Sequence, residues 1–481
     1  MLQFNRVIFS SIGGIRHSFF SMEVFSSLFS IFILSGGIVQ TAKLRCFQFG
    51  HLKQSLRIVL FSEGKNVSIS RKAERDRRGT TPFEAMASAL GGSIGTANIA
   101  GTASAIAIGG AGAVFYMWLA AVFGMALKLS EIVLALRYRE KRNGEYSGGP
   151  MSYIERGIGN KKRFSAISRF AKPLAISYAA FTLLSSSFGT PLVQANTVAR
   201  SASDLLLAFD LKISDIAVFA ASGLVCAALT GIVVIGGAKR IGRISSLLVP
   251  FMALSYIAIC SAVLIKFRAN VLPSFVRIFA EAFGFRQLGG GLCGVCVSKA
   301  MRVGISRGVY SNEAGVGSSA MSHASAQTDS SVRQGLYGIF EVFADTLVMC
   351  TLTALVVLSS GVNLPCDPSV SGTSIALSAF SSVLGERAAS VFLSVSLLLF
   401  AYTSLIGWSA YGLSAAKYLF GEKAKTPFCV IFTLLTALGA FVRVDIAWKC
   451  GEIFNYLMAV PNIFALLLLS KEVKKEIGFY E

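Results

Sequence analysis

Long apolar runs bounded by charged residues recur along the whole 481-residue chain. Each is about 20 residues, the length an α-helix needs to cross the hydrocarbon core of a bilayer. They predict eleven helices over 24–42, 82–109, 112–136, 173–200, 214–237, 245–266, 286–305, 335–360, 388–417, 427–447 and 451–470. The expected fold class is an all-α polytopic membrane protein.

Two runs are interrupted. The second holds Gly91-Gly92-Ser93-Ile94-Gly95-Thr96-Ala97-Asn98-Ile99-Ala100-Gly101, polar and glycine-rich in mid-span. The seventh holds Gly289-Gly290-Gly291 and Gly294, then Ser298 and Lys299. Backbone inside a bilayer leaves the helix only where protein or a lined cavity satisfies its polar groups. Matched interruptions five helices apart are the sequence sign of inverted repeats, with a site near the midplane between them. Close packing of small residues is the plainer reading of either segment alone.

The expected organisation is an extension over 1–23, an extra helix over 24–42 and a basic linker over 43–80. Five-helix repeats over 81–266 and 275–470 follow, then a tail over 471–481. The extension reads as a weak targeting segment, or as sequence upstream of a start at Met22. Thr81-Pro82-Phe83-Glu84 reads as an N-cap, a first-turn proline and a capping-box acid, which gives Glu84 a structural role. Lys128 and Glu131, three apart on one helix, are expected to pair.

Composition supports the membrane reading. The chain is 54% hydrophobic and 15% charged, against about 25% charged for a soluble domain. Its net charge of +20 lies in loops and forms no basic face, so nucleic acid is not an expected partner. Basic residues crowd alternate loops, from 43–80 and 137–172 to Lys471, Lys474 and Lys475. By the positive-inside rule this places the N-terminus outside and the C-terminus in the cytoplasm. Lys266, Arg268 and Arg277 are a mild exception. Cys293 and Cys296 form a CxxC with no second pair or nearby histidine, so no metal or redox site is expected.

Several stretches make the chain recognisable: IGTANIAGTASAIAIGGAGAVFYMWLAAVFGMALKLSE from Ile94, GGPMSYIERGIG from Gly148 and RVGISRGVYSNEAGVGSSAMSHASAQTD from Arg302. VRQGLYGIFEVFADTLVMCTLTALV from Val332 and LLLFAYTSLIGW from Leu397 extend the match. The sequence resembles the alanine or glycine:cation symporters, the sodium:alanine symporter family, over about 28–475. The resemblance implies a leucine-transporter-like fold with inverted five-helix repeats. It also implies sodium-driven transport of a small neutral amino acid, typically alanine or glycine, across a bacterial-type inner membrane.

The resemblance directs attention to particular residues. Thr96, Ala97 and Asn98 are first-half substrate candidates, since half-helix ends suit a zwitterion's carboxylate and ammonium. Gly294 to Lys299, including Ser298, are the second-half candidates, with Met301 one turn on. Trp408 matches a family tryptophan expected to wall the pocket; an interfacial anchor is the alternative. Thr403 and Ser404, with groups near Ser93 and Thr96, are sodium-ligand candidates; back-bonding to the preceding turn competes. Gln194 and Asn196 read equally as core lining or as helix–helix hydrogen-bond partners. Asn312 and Glu313 read as gate or loop-ordering residues.

Three positions depart from the family pattern: Ala97 where a second glycine is usual, Thr190-Pro191 where Gly-Asn is usual, and Lys299 where an uncharged residue is usual. A lysine within a span is by default functional. Lys299 is read as a stand-in cation, a partner of the substrate carboxylate or a residue that changes coupling from sodium to protons, or else as paired with Glu341 or Asp345 or snorkelling. An enzyme is disfavoured because His17, His51 and His323 sit in no catalytic constellation, and no phosphate-binding loop points to ATP-driven transport. No cofactor is expected beyond sodium as coupling ion.

Overall fold

A computed structural model describes residues 15–61, 79–142, 145–160, 165–284, 292–362, 371–442 and 444–480. The chain opens with α1 (Ile15–Lys43) and α2 (Phe47–Phe61). An 88° bend separates them, where Arg45 and Cys46 take positive φ of 54° and 59°. The expected linker over 43–80 thus begins as a helix, and its remainder over 62–78 lies outside the described residues. Ser55 anchors α2 by donating to the Leu336 carbonyl at 2.6 Å.

Next come α3 (Pro82–Ser93), a π-helical turn over Ala97–Gly101, α4 (Thr102–Gly109) and α5 (Gly112–Arg137). The capping box forms as expected: Glu84 N–H donates to Thr81 Oγ1 at 3.1 Å, and Thr81 N–H to Glu84 Oε2 at 2.9 Å. A short hairpin, β1 (Glu140–Arg142) and β2 (Glu145–Ser147), leads to α6 (Pro150–Tyr153).

The helix expected over 173–200 is two, α7 (Ser165–Phe188) and α8 (Thr190–Ala208). Gly189 leaves helical geometry at φ −103°, ψ −119°, and Pro191 starts the first turn of α8. The cause is local, because proline cannot supply the N–H a continuous helix needs yet suits a helix start. The chain continues through α9 (Asp215–Ile235), α10 (Gly237–Lys266) and α11 (Arg268–Ala282).

α12 (Leu292–Asn312) and α13 (Ser319–Ala324) form the second interrupted pair. The break expected at Gly289–Gly294 falls largely outside the described residues. Gly289, Gly290 and Gly291 lie outside the described residues, and Gly294 sits within α12. Among the described residues the interruption falls at Glu313–Ser318, where Glu313, Gly315 and Gly317 take φ of 55°, 88° and 83°. Glycine adopts that region at no steric cost, and a tight consecutive set of such positions ends a helix. Upstream, α12 packs against α5 so closely that a Cβ on Gly304 would lie 2.2 Å from the Ala113 carbonyl oxygen.

The rest is α14 (Ser331–Val342), a π-helical stretch Phe343–Cys350, α15 (Thr351–Ser359), α16 (Gly372–Leu384), α17 (Glu386–Phe420), α18 (Lys425–Gly439) and α19 (Val444–Tyr480). The expected tail over 471–481 is helical through Tyr480 and docks on the end of α5, where Arg137 pairs with Glu472 and Glu476. Among the described residues, six helices are long and apolar enough to cross a membrane, or seven if the bent α1–α2 pair is one span.

Candidate functional site

The two interruptions meet inside the molecule. α3 ends as Ile94 turns extended, at φ −68°, ψ 104°. The Gly95 N–H released there is satisfied by Asn98 Oδ1 at 2.9 Å. The Asn98 amide then crosses to the second half, donating to Asp345 Oδ1 at 2.7 Å and to Ser311 Oγ at 3.2 Å. Ser311 and Thr346 hydroxyls both donate to Asp345 Oδ2, at 2.7 and 2.8 Å. Asn312 joins by donating to Thr346 Oγ1 at 3.1 Å, while its own Oδ1 accepts from Ala314 N–H at 3.0 Å. Asn98, Ser311, Asp345 and Thr346 are all buried. A buried carboxylate survives only when paired or well hydrogen-bonded, and Asp345 has three such donors on three elements.

α17 lies against the first break. A Cβ on Gly407 would come 2.6 Å from Gly92 Cα, a contact only glycine permits. Ser404 Oγ donates to the freed Gly92 carbonyl at 3.0 Å. Its neighbour Thr403 back-bonds within α17, to Leu399 and Phe400 carbonyls at 3.1 Å, and touches Met252 Sδ at 3.4 Å. Ser93 likewise back-bonds, to Leu90 O at 3.2 Å. Ser404 therefore bridges to the break directly, while Thr403 and Ser93 border it.

Trp408 is fully buried, which removes the interfacial-anchor alternative. Its indole lies beside the Glu313 carboxylate at the second break, short of hydrogen-bond geometry. Gln194 reaches the first break, its Nε2 being 3.1 Å from where a Gly95 Cβ would stand. Buried polar atoms around the breaks that lack protein partners include Thr96 Oγ1, Gln194 Oε1 and Trp408 Nε1. Unpaired polar atoms so deeply buried are costly, and they point to a ligand or ordered water between the breaks. Ala97, also buried, opens the π-helical turn.

Other candidates fall elsewhere. Ser298, Lys299 and Met301 lie on α12 well before its break and line a separate 410 Å³ cavity against Ser27 and Ser30 of α1. Neither acid considered as a partner for Lys299 meets it: Asp345 is held as described, and Glu341 binds His323 Nε2. These candidates were counted from Gly289–Gly294, most of which lies outside the described residues. Asn196 is a helix–helix tether, donating to Ala440 and Val442 carbonyls at 3.0 and 2.9 Å.

Glu313 opens the second break and Asn312 is the last residue of α12 before it; both are buried. Glu313 accepts from Ser318. Lys128 and Glu131 do not close an ion pair. Lys128 Nζ donates to Ser319 Oγ at 2.9 Å, and Glu131 Oε1 accepts from Asn462 Nδ2 at 2.8 Å. Asn462 also donates to Gly315 O at 2.9 Å, and Tyr178 OH to Val316 O at 3.0 Å, so α5, α7 and α19 together hold the second break in shape.

On the β-hairpin side, the interrupted helices are tied end to end. Gln327 N–H donates to Thr80 O at 2.9 Å, and Arg139 donates to the Ala324, Ala326 and Thr328 carbonyls, the last at 3.0 Å. His323 joins Gln334 at 2.8 Å, and Gln334 reaches Pro82 O at 3.1 Å.

Paired interrupted helices, buried polar groups between them and several apolar spans define a multi-pass membrane transporter, not an enzyme. The chain belongs to the sodium:alanine symporter family, whose model matches residues 16–481. It is 34% identical over 448 residues to the sodium/alanine symporter AgcS of Methanococcus maripaludis, covering 93% of this chain and 92% of that one. It is also 34% identical over 454 residues to a probable sodium/glutamine symporter, GlnT, of Bacillus subtilis, covering 94% and 87%. Among solved structures the fold is similar to MhsT in complex with L-phenylalanine, with TM-score 0.53, 14% identity, and 82% and 98% of the two chains covered.

Asp345 and Ser311 are the site residues that sequence reasoning missed in this role. Asp345 entered only as a possible partner for Lys299. An acid in the middle of an apolar run was a sufficient signal.

Proposed function

We propose that this protein imports a small neutral amino acid, alanine or glycine, together with sodium by alternating access. The observation that carries the reading is the set of partnerless atoms Thr96 Oγ1, Gln194 Oε1 and Trp408 Nε1, gathered at two facing helix breaks. A zwitterion suits that space: freed N–H groups at a half-helix start favour its carboxylate, and unwound carbonyls favour its ammonium. Thr96, Ala97, Asn98, Gln194 and Trp408 are its proposed contacts, with Glu313 and Asn312 shaping the second break. The buried bulk of Trp408 limits the substrate side chain.

Sodium, carried as co-substrate, needs several hard oxygen ligands. One proposed position is beside Asp345, where Ser311, Thr346 and Asn98 converge. A second is at the Ser404–Gly92 contact, with Thr403, Ser93 and Thr96 around it. Asp345 supplies the charge that favours a cation there.

In this reading ten spans form two inverted five-helix repeats over 81–266 and 275–470, with one further span before them, eleven in all. The N-terminus lies outside and the C-terminus in the cytoplasm. Thr80, Arg139 and Ala326 then close the cytoplasmic side, and the host membrane is a bacterial-type inner membrane. The test is uptake of labelled alanine and glycine into proteoliposomes under imposed sodium or proton gradients. Accumulation driven by sodium is expected; no accumulation of either amino acid under a sodium gradient sinks the proposal.

A further inference from the structure

A groove of about 780 Å³ runs between α10 and α17 on the outer surface of the bundle. Its walls are almost wholly apolar, with Phe251 and Val395 exposed along it. Charge appears at one end only, where Glu386 and Arg387 open α17 beside Phe209. From Arg387 to Leu399 the α17 wall rises through twelve helical steps, about 18 Å at the usual rise. That is close to the depth of one bilayer leaflet with its headgroups, half of roughly 40–45 Å. Length, apolar wall and terminal charge thus match one leaflet of lipid.

The charged end is also specific. The Arg387 guanidinium stacks over the Phe209 ring at 5.3 Å, which holds a planar fork ready for phosphate oxygens. Both Glu386 and Arg387 are exposed. An acid and a base side by side at the mouth complement a headgroup that carries phosphate and a primary ammonium. They suit a purely anionic headgroup less well, because Glu386 repels it.

We propose that this groove is a binding site for phosphatidylethanolamine. The phosphate sits at Arg387, the ammonium at Glu386, and an acyl chain lies along Phe251 and Val395. At the deep end the chain meets Met252, Leu399 and Phe400, the residues that contact Thr403. An occupied groove therefore props α10 against α17 behind the first helix break. This site is distinct from the proposed substrate and sodium positions, although its deep end borders Thr403, and the case for it rests on the groove alone.

The test is native mass spectrometry of the purified full chain in detergent, titrated with phosphatidylethanolamine, phosphatidylglycerol and phosphatidylcholine of matched acyl chains. The wild type is expected to retain phosphatidylethanolamine several-fold better than the other two. Arg387→Gln should lose retention of all three, and Glu386→Gln should erase the preference for the ethanolamine headgroup. Val395→Trp, which fills the groove without touching the charges, should weaken all three and guards against misfolding of either charge variant. Equal retention of the three lipids by the wild type overturns the proposal. So does undiminished phosphatidylethanolamine retention in Arg387→Gln or in Val395→Trp, or a surviving preference in Glu386→Gln.

Discussion

The Asn98 side-chain amide donates to the Asp345 carboxylate at 2.7 Å across 247 residues of sequence. This bond joins the first helix break to the π-helical stretch after α14. It makes the state of one break depend on the charge of a residue in the other half, because Asn98 also holds Gly95 N–H. In the proposed mechanism, a cation arriving at Asp345 would meet groups already committed to the shape of the first break.

Replacing the charge at Asp345 tests that coupling. Asp345→Asn keeps the shape and removes the attraction for a cation. A charged hydrogen-bonding partner is worth roughly 1.5–3 kcal/mol, so the sodium concentration for half-maximal uptake should rise at least about tenfold. Sodium titration of uptake at fixed alanine measures it, and an unchanged midpoint counts against Asp345 as a sodium ligand.

Ser404→Ala should act on sodium in a different way. It deletes the hydroxyl that meets the Gly92 carbonyl at 3.0 Å, leaving Asp345 intact. We expect the sodium dependence of uptake to become less steep. A variant with wild-type steepness and midpoint would remove Ser404 from the ion-binding groups.

Trp408 should control side-chain size. Trp408→Phe trims a fully buried ring system while keeping an aromatic against Tyr411, whose ring lies 5.5 Å away. Competition uptake should show larger neutral amino acids gaining relative to alanine. Identical competition profiles would place the substrate elsewhere. Trp408→Ala is a poorer test, since emptying so large a buried site costs about 3–5 kcal/mol of stability.

Arg139 should hold the closed side shut. Arg139→Gln loses a charged donor to the Ala324, Ala326 and Thr328 carbonyls. A cysteine placed at Ser322, buried against Ser88 at 3.3 Å, should then react faster with a soluble thiol reagent from the β-hairpin side. No change in labelling rate would deny Arg139 a gating role.

Lys299→Gln should leave the sodium midpoint and the alanine-to-glycine preference unchanged. The lysine faces Ser27 and Ser30 of α1 in a cavity away from both breaks. A shift in either quantity would reopen its role in coupling.

Much of the molecule was legible in one dimension. The apolar periods marked most helices, because a bilayer requires about 20 such residues per crossing. The Thr81–Glu84 capping box and the first break at Ile94–Thr96 were readable because capping and unwinding are local. Ser404 and Trp408 were picked out by the family resemblance, and the structure brings both to the breaks.

What tertiary structure alone decided was partnership. A glycine run at Gly289–Gly294 and the SNEAGVG stretch at Ser311–Gly317 look equally able to break a helix. The buried contacts of Asn462, Tyr178 and Ser318 hold the break at the second; Gly289–Gly291 lie outside the described residues. Lys128 and Glu131 have the spacing of a pair, yet each finds a better partner on another helix. Hydrogen-bond partners hundreds of residues apart leave no periodic trace in a sequence. Local rules set where this chain can cross or unwind; the packing of distant helices determines which buried polar groups face each other, and so where the site lies.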